Sequence, residues 1–247
     1  VRHGHGRPAH PRLAPLLAAG DYREAAQALA AIAPDLATIP DSADPAHPGQ
    51  PWWDNAWFFS GDAGMLCALL ASRRPARLLE IGSGMSTRFA RWAITRFATG
   101  THLHSIDPEP RAEIDSLCDQ ITRTPLEDTD PALFTGLQAG DILFFDGSHR
   151  SFQNSDVTVF FTEILPDLAP GVIVQIHDIF LPHDYPPDWR GRLYNEQYLL
   201  ATLLLAGQTR YDILWPGAFA PTLPATTPLL PPRFCDGRGS SFWMQVR

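Results

Sequence analysis

From residue 77 onward, short apolar runs alternate with amphipathic stretches, and that alternation restricts the fold more than any other feature. Strand-like runs fall at 77–81, 103–107, 141–146, 172–177, 211–215 and 241–246, with a weaker one at 120–124. Helical patterns lie between them at 86–97, 111–118, 151–168 and 192–205. Runs such as Ile142-Leu143-Phe144-Phe145 are apolar at every position, so both faces of such strands are to be covered. Strands of this kind joined through helices give a mostly parallel sheet with helices on both sides, an α/β fold. Ligands of such sheets bind beyond the carboxyl ends of the strands, which makes the residues directly after each strand the ones to read for chemistry.

Ahead of this block, Leu16, Leu17, Ala25, Leu29 and Ile32 recur at helical spacing around 13–31. Residues 33–51 read as a Pro/Asp/Ala-rich linker, and a second helix is predicted over 61–73. The expected organisation is an N-terminal helical and linker cap over 1–60 and one α/β domain over 61–247, a size that a single large domain accommodates. The opening VRHGHGRPAHPR has no apolar period, and we read its histidines as a tail rather than a metal site.

Composition removes several function classes. A net charge of −8 without a basic stripe argues against a nucleic-acid partner, because phosphate backbones are held by clustered Lys and Arg. No apolar run has the length needed to cross a bilayer, so no membrane partner is expected. Cys67, Cys118 and Cys235 are far apart and form no CxxC pair, which excludes a cysteine-built zinc site and fits a reducing, cytoplasmic setting.

The first core strand runs into Gly82-Ser83-Gly84, and Ser86-Thr87 opens a helix. Glycines at such a turn let backbone N–H groups approach a ligand where a Cβ would block them. Taken alone, the turn is equally a tight βα connection. Thr87 stands where a dinucleotide fingerprint would place its last glycine, and Glu80 lies two residues before Gly82, an acidic position typical of methyltransferases. Asp107 ends the next strand, about two dozen residues on, where a carboxylate accepts the two ribose hydroxyls of a nucleoside or else caps the following turn.

Together these segments resemble the class I S-adenosylmethionine-dependent methyltransferases, and within them a bacterial group of small-molecule O-methyltransferase-like proteins. The resemblance is carried by LLEIGSGMST (78–87), SIDP (105–108), ILFFDGSH (142–149), QIHDIFLPHDYP (175–186), YNEQYLL (194–200) and GSSFWMQ (239–245). It implies a Rossmann-like seven-stranded sheet of order 3-2-1-4-5-7-6 with the last strand antiparallel. It also implies S-adenosylmethionine contacts from Glu80, Gly82, Ser83, Gly84, Ser86, Asp107, Asp146 and Gly147. The loop at Leu126-Glu127 is expected near the adenine, although Pro125 departs from the common pattern.

Asp146-Gly147-Ser148-His149 closes one strand and His177-Asp178 the next one in space, so these ends are expected to converge beside the sulfonium. Transfer to oxygen needs an acceptor hydroxyl polarised or deprotonated, and held in line with the methyl carbon. Two devices do this: a neutral histidine as general base, or a divalent metal. The catalytic candidates are His149, His177 and Asp178. By resemblance to catechol-type O-methyltransferases, the metal candidates are Asp146, His177 and Asp178, binding magnesium or manganese. An Asp after a strand also commonly caps a helix, and a lone His commonly satisfies a carbonyl.

The segment 181–198 supplies His183, Tyr185, Trp189, Tyr194, Asn195, Glu196 and Tyr198, an aromatic set suited to a small organic acceptor or to helix packing. Trp52, Trp53, Asn55, Trp57 and Phe58 either cap the pocket or attach the N-terminal helix to the sheet. The Pro-rich stretch 216–232 has the length of a lid or a homodimer contact. The leading expectation is O-methylation of a small-molecule or sugar hydroxyl. The alternatives are a nicotinamide-dependent oxidoreductase and a non-catalytic cofactor-binding domain of a larger protein.

Overall fold

The computed structural model describes residue 4 and residues 6–207, 209–235 and 238–247; His3 and His5 of the opening tail lie outside them. Ahead of the sheet come α1 (Leu13–Ala18), α2 (Arg23–Ala31), α3 (Ala33–Leu36) and α4 (Ser60–Arg73). Next are β1 (Arg77–Ile81), α5 (Met85–Arg96), β2 (His102–Ile106), β3 (Gln120–Thr122), α6 (Ala132–Thr135) and β4 (Ile142–Phe145). They are followed by α7 (Asp156–Val159), α8 (Leu165–Asp167), β5 (Ile173–Ile176), α9 (Glu196–Leu205), β6 (Tyr211–Pro216) and β7 (Phe242–Val246).

The seven strands lie in the order β3-β2-β1-β4-β5-β7-β6. β1 to β5 pair in parallel, whereas β7 runs antiparallel to both β5 and β6. Every residue of β4 and β5 is buried. Alternate positions feed two separate cores. Leu78, Ile142, Phe144, Ile173 and Trp243 meet α4 and α5 on one face. Leu79, Leu143, Phe145, Val174 and Met244 meet the helices of the other. Each such side chain contributes roughly 1.5–3 kcal/mol through burial.

The N-terminal helices are divided between these cores: Leu13 and Leu17 join the second, and Tyr22, Ala26, Leu29 and Leu36 the first. From Asp62 to Leu70, α4 is buried without interruption between α2 and the sheet. A carboxylate inside that run is costly unless it has partners, which marks Asp62.

Several boundaries differ from the periodic reading. The helical pattern of 13–31 breaks into α1 and α2 around Gly20-Asp21, where Tyr22 turns back to donate to the Leu17 carbonyl. Residues 111–118 form only a short 3-10 turn at Asp115–Leu117, whose Leu117 carbonyl and Asp115 carboxylate are held by Arg91 and Arg123. The helix expected from residue 151 starts at Asp156, capped by Ser155, whose hydroxyl accepts from Thr158 N at 3.1 Å. It passes through a π-helical turn, Phe160–Ile164, just before Pro166, a residue that cannot donate to the preceding turn. α9 begins at Glu196 because Leu193, with φ of 59°, ends the preceding 3-10 turn.

Candidate active site

The β1–α5 turn is shaped by close approach. Gly82 has φ of 76°, and a Cβ there would lie 1.9 Å from the Asp146 carbonyl oxygen. Glycine thus lets the ends of β1 and β4 touch. At Gly84, φ is 156° and a Cβ would meet nothing within 4 Å; that side of the turn is open. Thr87 explains why no glycine follows: its hydroxyl accepts from Gly84 N at 3.0 Å and donates to Glu80 Oε2 at 2.6 Å. Glu80 therefore braces the turn from beneath. It is 1% exposed, and burial pushes its pKa up to about 7 against hydrogen bonds from Ser86 and Thr87.

Asp107, at the end of β2, accepts from Ser83 N at 2.9 Å and Ser83 Oγ at 2.7 Å on one oxygen, and from Glu109 N at 2.9 Å on the other. The capping reading of this residue holds, since it ties the turn together, and Asp107 also lines the cleft beside the turn. Gly147 has a local cause as well, since a Cβ would lie 2.3 Å from Asp156 Oδ2, the atom that receives Ser148 N.

At the other end of the turn, β4 and β5 deliver Asp146, His149, His177 and Asp178 to one place. His149 and Asp178 both hold positive φ, 61° and 55°, a backbone arrangement that non-glycine residues pay for with strain. His149 Nδ1 lies 2.5 Å from Glu196 Oε1, and its Nε2 lies 3.3 Å from Asp146 Oδ1 and 3.6 Å from Asp178 Oδ2. His177 Nδ1 lies 3.4 Å from Asp146 Oδ1 and 3.4 Å from Asp178 Oδ1, while its Nε2 faces Asp62 Oδ2 at 3.4 Å. The other oxygen of Asp62 accepts from Ser240 N at 2.8 Å and Ser241 N at 2.6 Å, linking α4 to the start of β7.

A cleft of about 920 Å³ connects these two ends. Its walls include Gly82, Ser83, Gly84, Ser86, Asp107, Asp146, Gly147, His149, His177 and Asp178, so all but one of the site residues read from the sequence share one space. Glu80 is the exception. Pro125, Leu126 and Glu127 line the Asp107 end. Trp189, Arg192 and Tyr194 line the far end, with the Tyr194 ring 4.4 Å from that of His149. The aromatic residues before α4 divide their work: Trp53 is buried against Phe89 and Phe234, Trp52 and Trp57 form cleft wall, and Phe58 does both. No residue of 216–232 lines the cleft; Ala220 and Leu230 are buried in the first core, where this segment packs near α2.

Residues 79–179, about two-fifths of the chain, match the family profile of a methyltransferase domain. With the antiparallel β7, this decides the identity. The chain carries a methyltransferase domain over residues 79–179. Its sheet has the order and antiparallel last strand expected of the class I, S-adenosylmethionine-dependent fold. The nicotinamide-dependent reading falls with it, because the dinucleotide-binding order is wholly parallel and ends in a third glycine that Thr87 replaces. Among solved structures, the chain is similar to the S-adenosylhomocysteine-bound methyltransferase PaMTH1 of Podospora anserina. The identity is 17% over 75% of this chain and 77% of that one, with a TM-score of 0.44. It is also similar to an O-methyltransferase of Bacillus cereus in complex with S-adenosylhomocysteine, at 14% identity over 90% of each chain and a TM-score of 0.42. Superpositions this loose take the assignment no further than the sheet order does. A comparison with curated proteins finds no match.

The methyltransferase's turn suits the cofactor on its own geometry: Gly84 leaves the space that a ligand needs, and Asp107 stands at the strand end where ribose hydroxyls are bound. The metal expectation meets a different arrangement. Among the described residues, no group of three His, Cys, Asp or Glu side chains is disposed to hold a metal ion. His177 stands between Asp146 and Asp178, and burial, which alone would lower its pKa, is outweighed by those two carboxylates, so that it is raised well above 6.5. Burial opposes protonation of His149 too, but Glu196 and Asp146 raise it likewise. Asp146, which burial pushes up, is held far below the usual carboxylate range by the two imidazoles.

Two members of this network, Asp62 and Glu196, do not line the cleft; Asp62 was not legible as a site residue, and Glu196 was legible only as one polar group of the 181–198 segment. Each is a single carboxylate near the start of an otherwise apolar helix, the pattern of an acidic first turn complementing the helix dipole. The methyltransferase's Asp107 yields the first expectation. Asp107→Ala should weaken S-adenosylhomocysteine binding at least about tenfold by calorimetry, through loss of the ribose hydrogen bonds. Unchanged affinity would remove Asp107 from the cofactor site.

Proposed function

We propose that this methyltransferase transfers the methyl group of S-adenosylmethionine to a hydroxyl of a small organic acceptor, with His149 as general base and without a metal. The observation that carries this reading is the His149–Glu196 pair: an imidazole on the cleft wall whose Nδ1 is held by a wholly buried carboxylate. With the Nδ1 proton committed to Glu196, the nitrogen left to accept a proton is Nε2. The bound cofactor supplies an electrophilic methyl carbon on a sulfonium. His149 takes the acceptor's hydroxyl proton as the oxygen bonds to that carbon while the carbon–sulfur bond breaks, its electron pair passing to the sulfur of S-adenosylhomocysteine. The proton then leaves the imidazolium to solvent before the next cycle. Asp146 and Asp178 face the same nitrogen and stabilise the imidazolium that forms.

His177 has a different place. Its ring is in contact with Phe58 at 5.4 Å between centroids, and both its nitrogens face carboxylates, which supports a role in bridging Asp146 and Asp178. Trp189 and Tyr194 supply flat aromatic walls for the acceptor, with the Arg192 guanidinium stacked 3.9 Å from the Trp189 ring centre. Residues 1–60 act in this reading as a cap, since Trp52 and Trp57 close the cleft from that side.

A panel of phenolic and sugar alcohols, assayed by S-adenosylhomocysteine release, identifies an acceptor. Turnover on it should persist in excess EDTA. Loss of activity with chelator and its return with magnesium or manganese would overturn the metal-free mechanism and restore Asp146 and Asp178 as ligands.

A further inference from the structure

Arginines on the outer surface are commonly ion-paired: Arg23 with Asp21, Arg73 with Glu24, Arg91 with Asp119 and Arg96 with Asp35. Arg88 is different. It lies one turn into α5 and is 8% exposed, yet among the described residues no carboxylate pairs with it. Its Nε and Nη1 have no hydrogen-bond partner, and Nη2 reaches only the Glu113 carbonyl, at a marginal 3.5 Å. The guanidinium carbon lies 5.5 Å from the centre of the Trp52 ring. Arginine stays protonated even where burial opposes its charge, so this is a cation withdrawn from water without a counter-ion.

Its surroundings indicate what would complete it. Arg88 is part of the cleft wall, together with Trp52, Gly84, Met85 and Ser86. Helical side chains lean toward the N-terminus of their helix, so Arg88 reaches back toward the first turn of α5, whose unsatisfied amides also favour an anion. Of the carboxylates lining the cleft, Asp107, Asp146 and Asp178 are at the strand ends, and Glu109, Glu127 and Asp156 follow further along the chain. A ligand that puts hydroxyl or ammonium groups on those residues and an acid group on Arg88 satisfies both.

We propose that Arg88 is the carboxylate-binding residue of the cleft, its planar fork donating to a ligand carboxylate against the Trp52 face. The inference rests on this cleft being the ligand site, as the proposed function also requires. Two sources carry the same chemistry: the amino-acid end of the cofactor, and an acid group on the acceptor.

Calorimetry on the full chain separates them, with S-adenosylhomocysteine, its decarboxylated analogue and benzoate as probes. If the cofactor supplies the group, R88Q should weaken S-adenosylhomocysteine at least about tenfold and leave the decarboxylated analogue unchanged. If the acceptor supplies it, R88Q should bind both nucleosides as wild type does but lose the benzoate binding that the cofactor-loaded wild type shows. Equal weakening of both nucleosides, or no change with any probe, would overturn the inference. R88K guards against a folding defect: it keeps the charge but not the fork, so it should fall between wild type and R88Q on the carboxylate-bearing probe alone. Failure of S-adenosylhomocysteine to bind wild type would instead strike the proposed function, and benzoate titrated into the cofactor-free wild type and R88Q would still judge Arg88: binding lost in R88Q would support the inference, and equal binding or none would overturn it.

Discussion

Replacing His149 with Gln should lower turnover by roughly 10²–10⁴ while S-adenosylhomocysteine affinity stays within about twofold, the usual span for removing a general base. Glutamine keeps a polar group near Glu196 but accepts no proton at working pH. The rate of the wild type should also depend on pH with a definite sign. The folded pKa of His149 is raised well above 6.5 by Glu196 and Asp146, so the neutral, accepting form is scarce at pH 6.5 and grows as pH rises. The acidic limb of the kcat profile should therefore lie above pH 6.5. Glu196→Gln tests the cause: removing that carboxylate should move the limb to lower pH and reduce the maximal rate, because the imidazole loses the charge that orients it. A limb that stays in place would show that Glu196 does not set the titration. An H149Q variant as fast as wild type would take proton abstraction away from this residue.

The strands were legible because their cause is local. A run such as 142–145 can be covered on both faces only in the middle of a sheet, and the structure places it there, between β1 and β5. The turn at Gly82 and Gly84 was equally legible, since glycines that permit close approach leave a mark in the sequence itself. The site's supports were not, because they are made by distant partners. Glu196 meets His149 across 47 residues of chain, and Asp62 meets His177 from a helix on the far side of β1 in the sequence. Nothing in EQYLLATLLL separates a carboxylate that holds a catalytic ring from one that complements a helix dipole. The helix expected over 111–118 is reduced to a 3-10 turn, whose Leu117 carbonyl and Asp115 carboxylate are held by arginines from α5 and from just after β3, again distant partners. Thr87 was read correctly as a departure from a dinucleotide fingerprint, but its positive role, joining Gly84 to Glu80, needed coordinates.

Gly82→Ala and Gly84→Ala should part company, although both change a glycine of the same turn. At Gly82 the added methyl group would lie 1.9 Å from the Asp146 carbonyl oxygen, a backbone atom held by the β1–β4 contact, in which Asp146 N donates to the Ile81 carbonyl at 2.9 Å. Neither chain can yield without spreading the ends of β1 and β4, and the positive φ adds about 1–2 kcal/mol of its own. With about 1–3 kcal/mol for the overpacking, the fold should lose ~2–5 kcal/mol. For a chain of this size that lowers Tm by roughly 5–15 °C in differential scanning fluorimetry, and cofactor binding should be lost with the spread of the turn. At Gly84 the methyl group meets no protein atom, so only the strained φ of 156° counts, and Tm should fall by only a few degrees. Its effect belongs to the ligand instead. The methyl group projects into the open side of the turn, where the cofactor is to approach the backbone, and S-adenosylhomocysteine affinity should drop at least about tenfold. A Gly84→Ala protein that binds S-adenosylhomocysteine as tightly as wild type would move the cofactor away from this turn, and a Gly82→Ala protein of unchanged Tm would mean that the β1 and β4 ends do not touch as described.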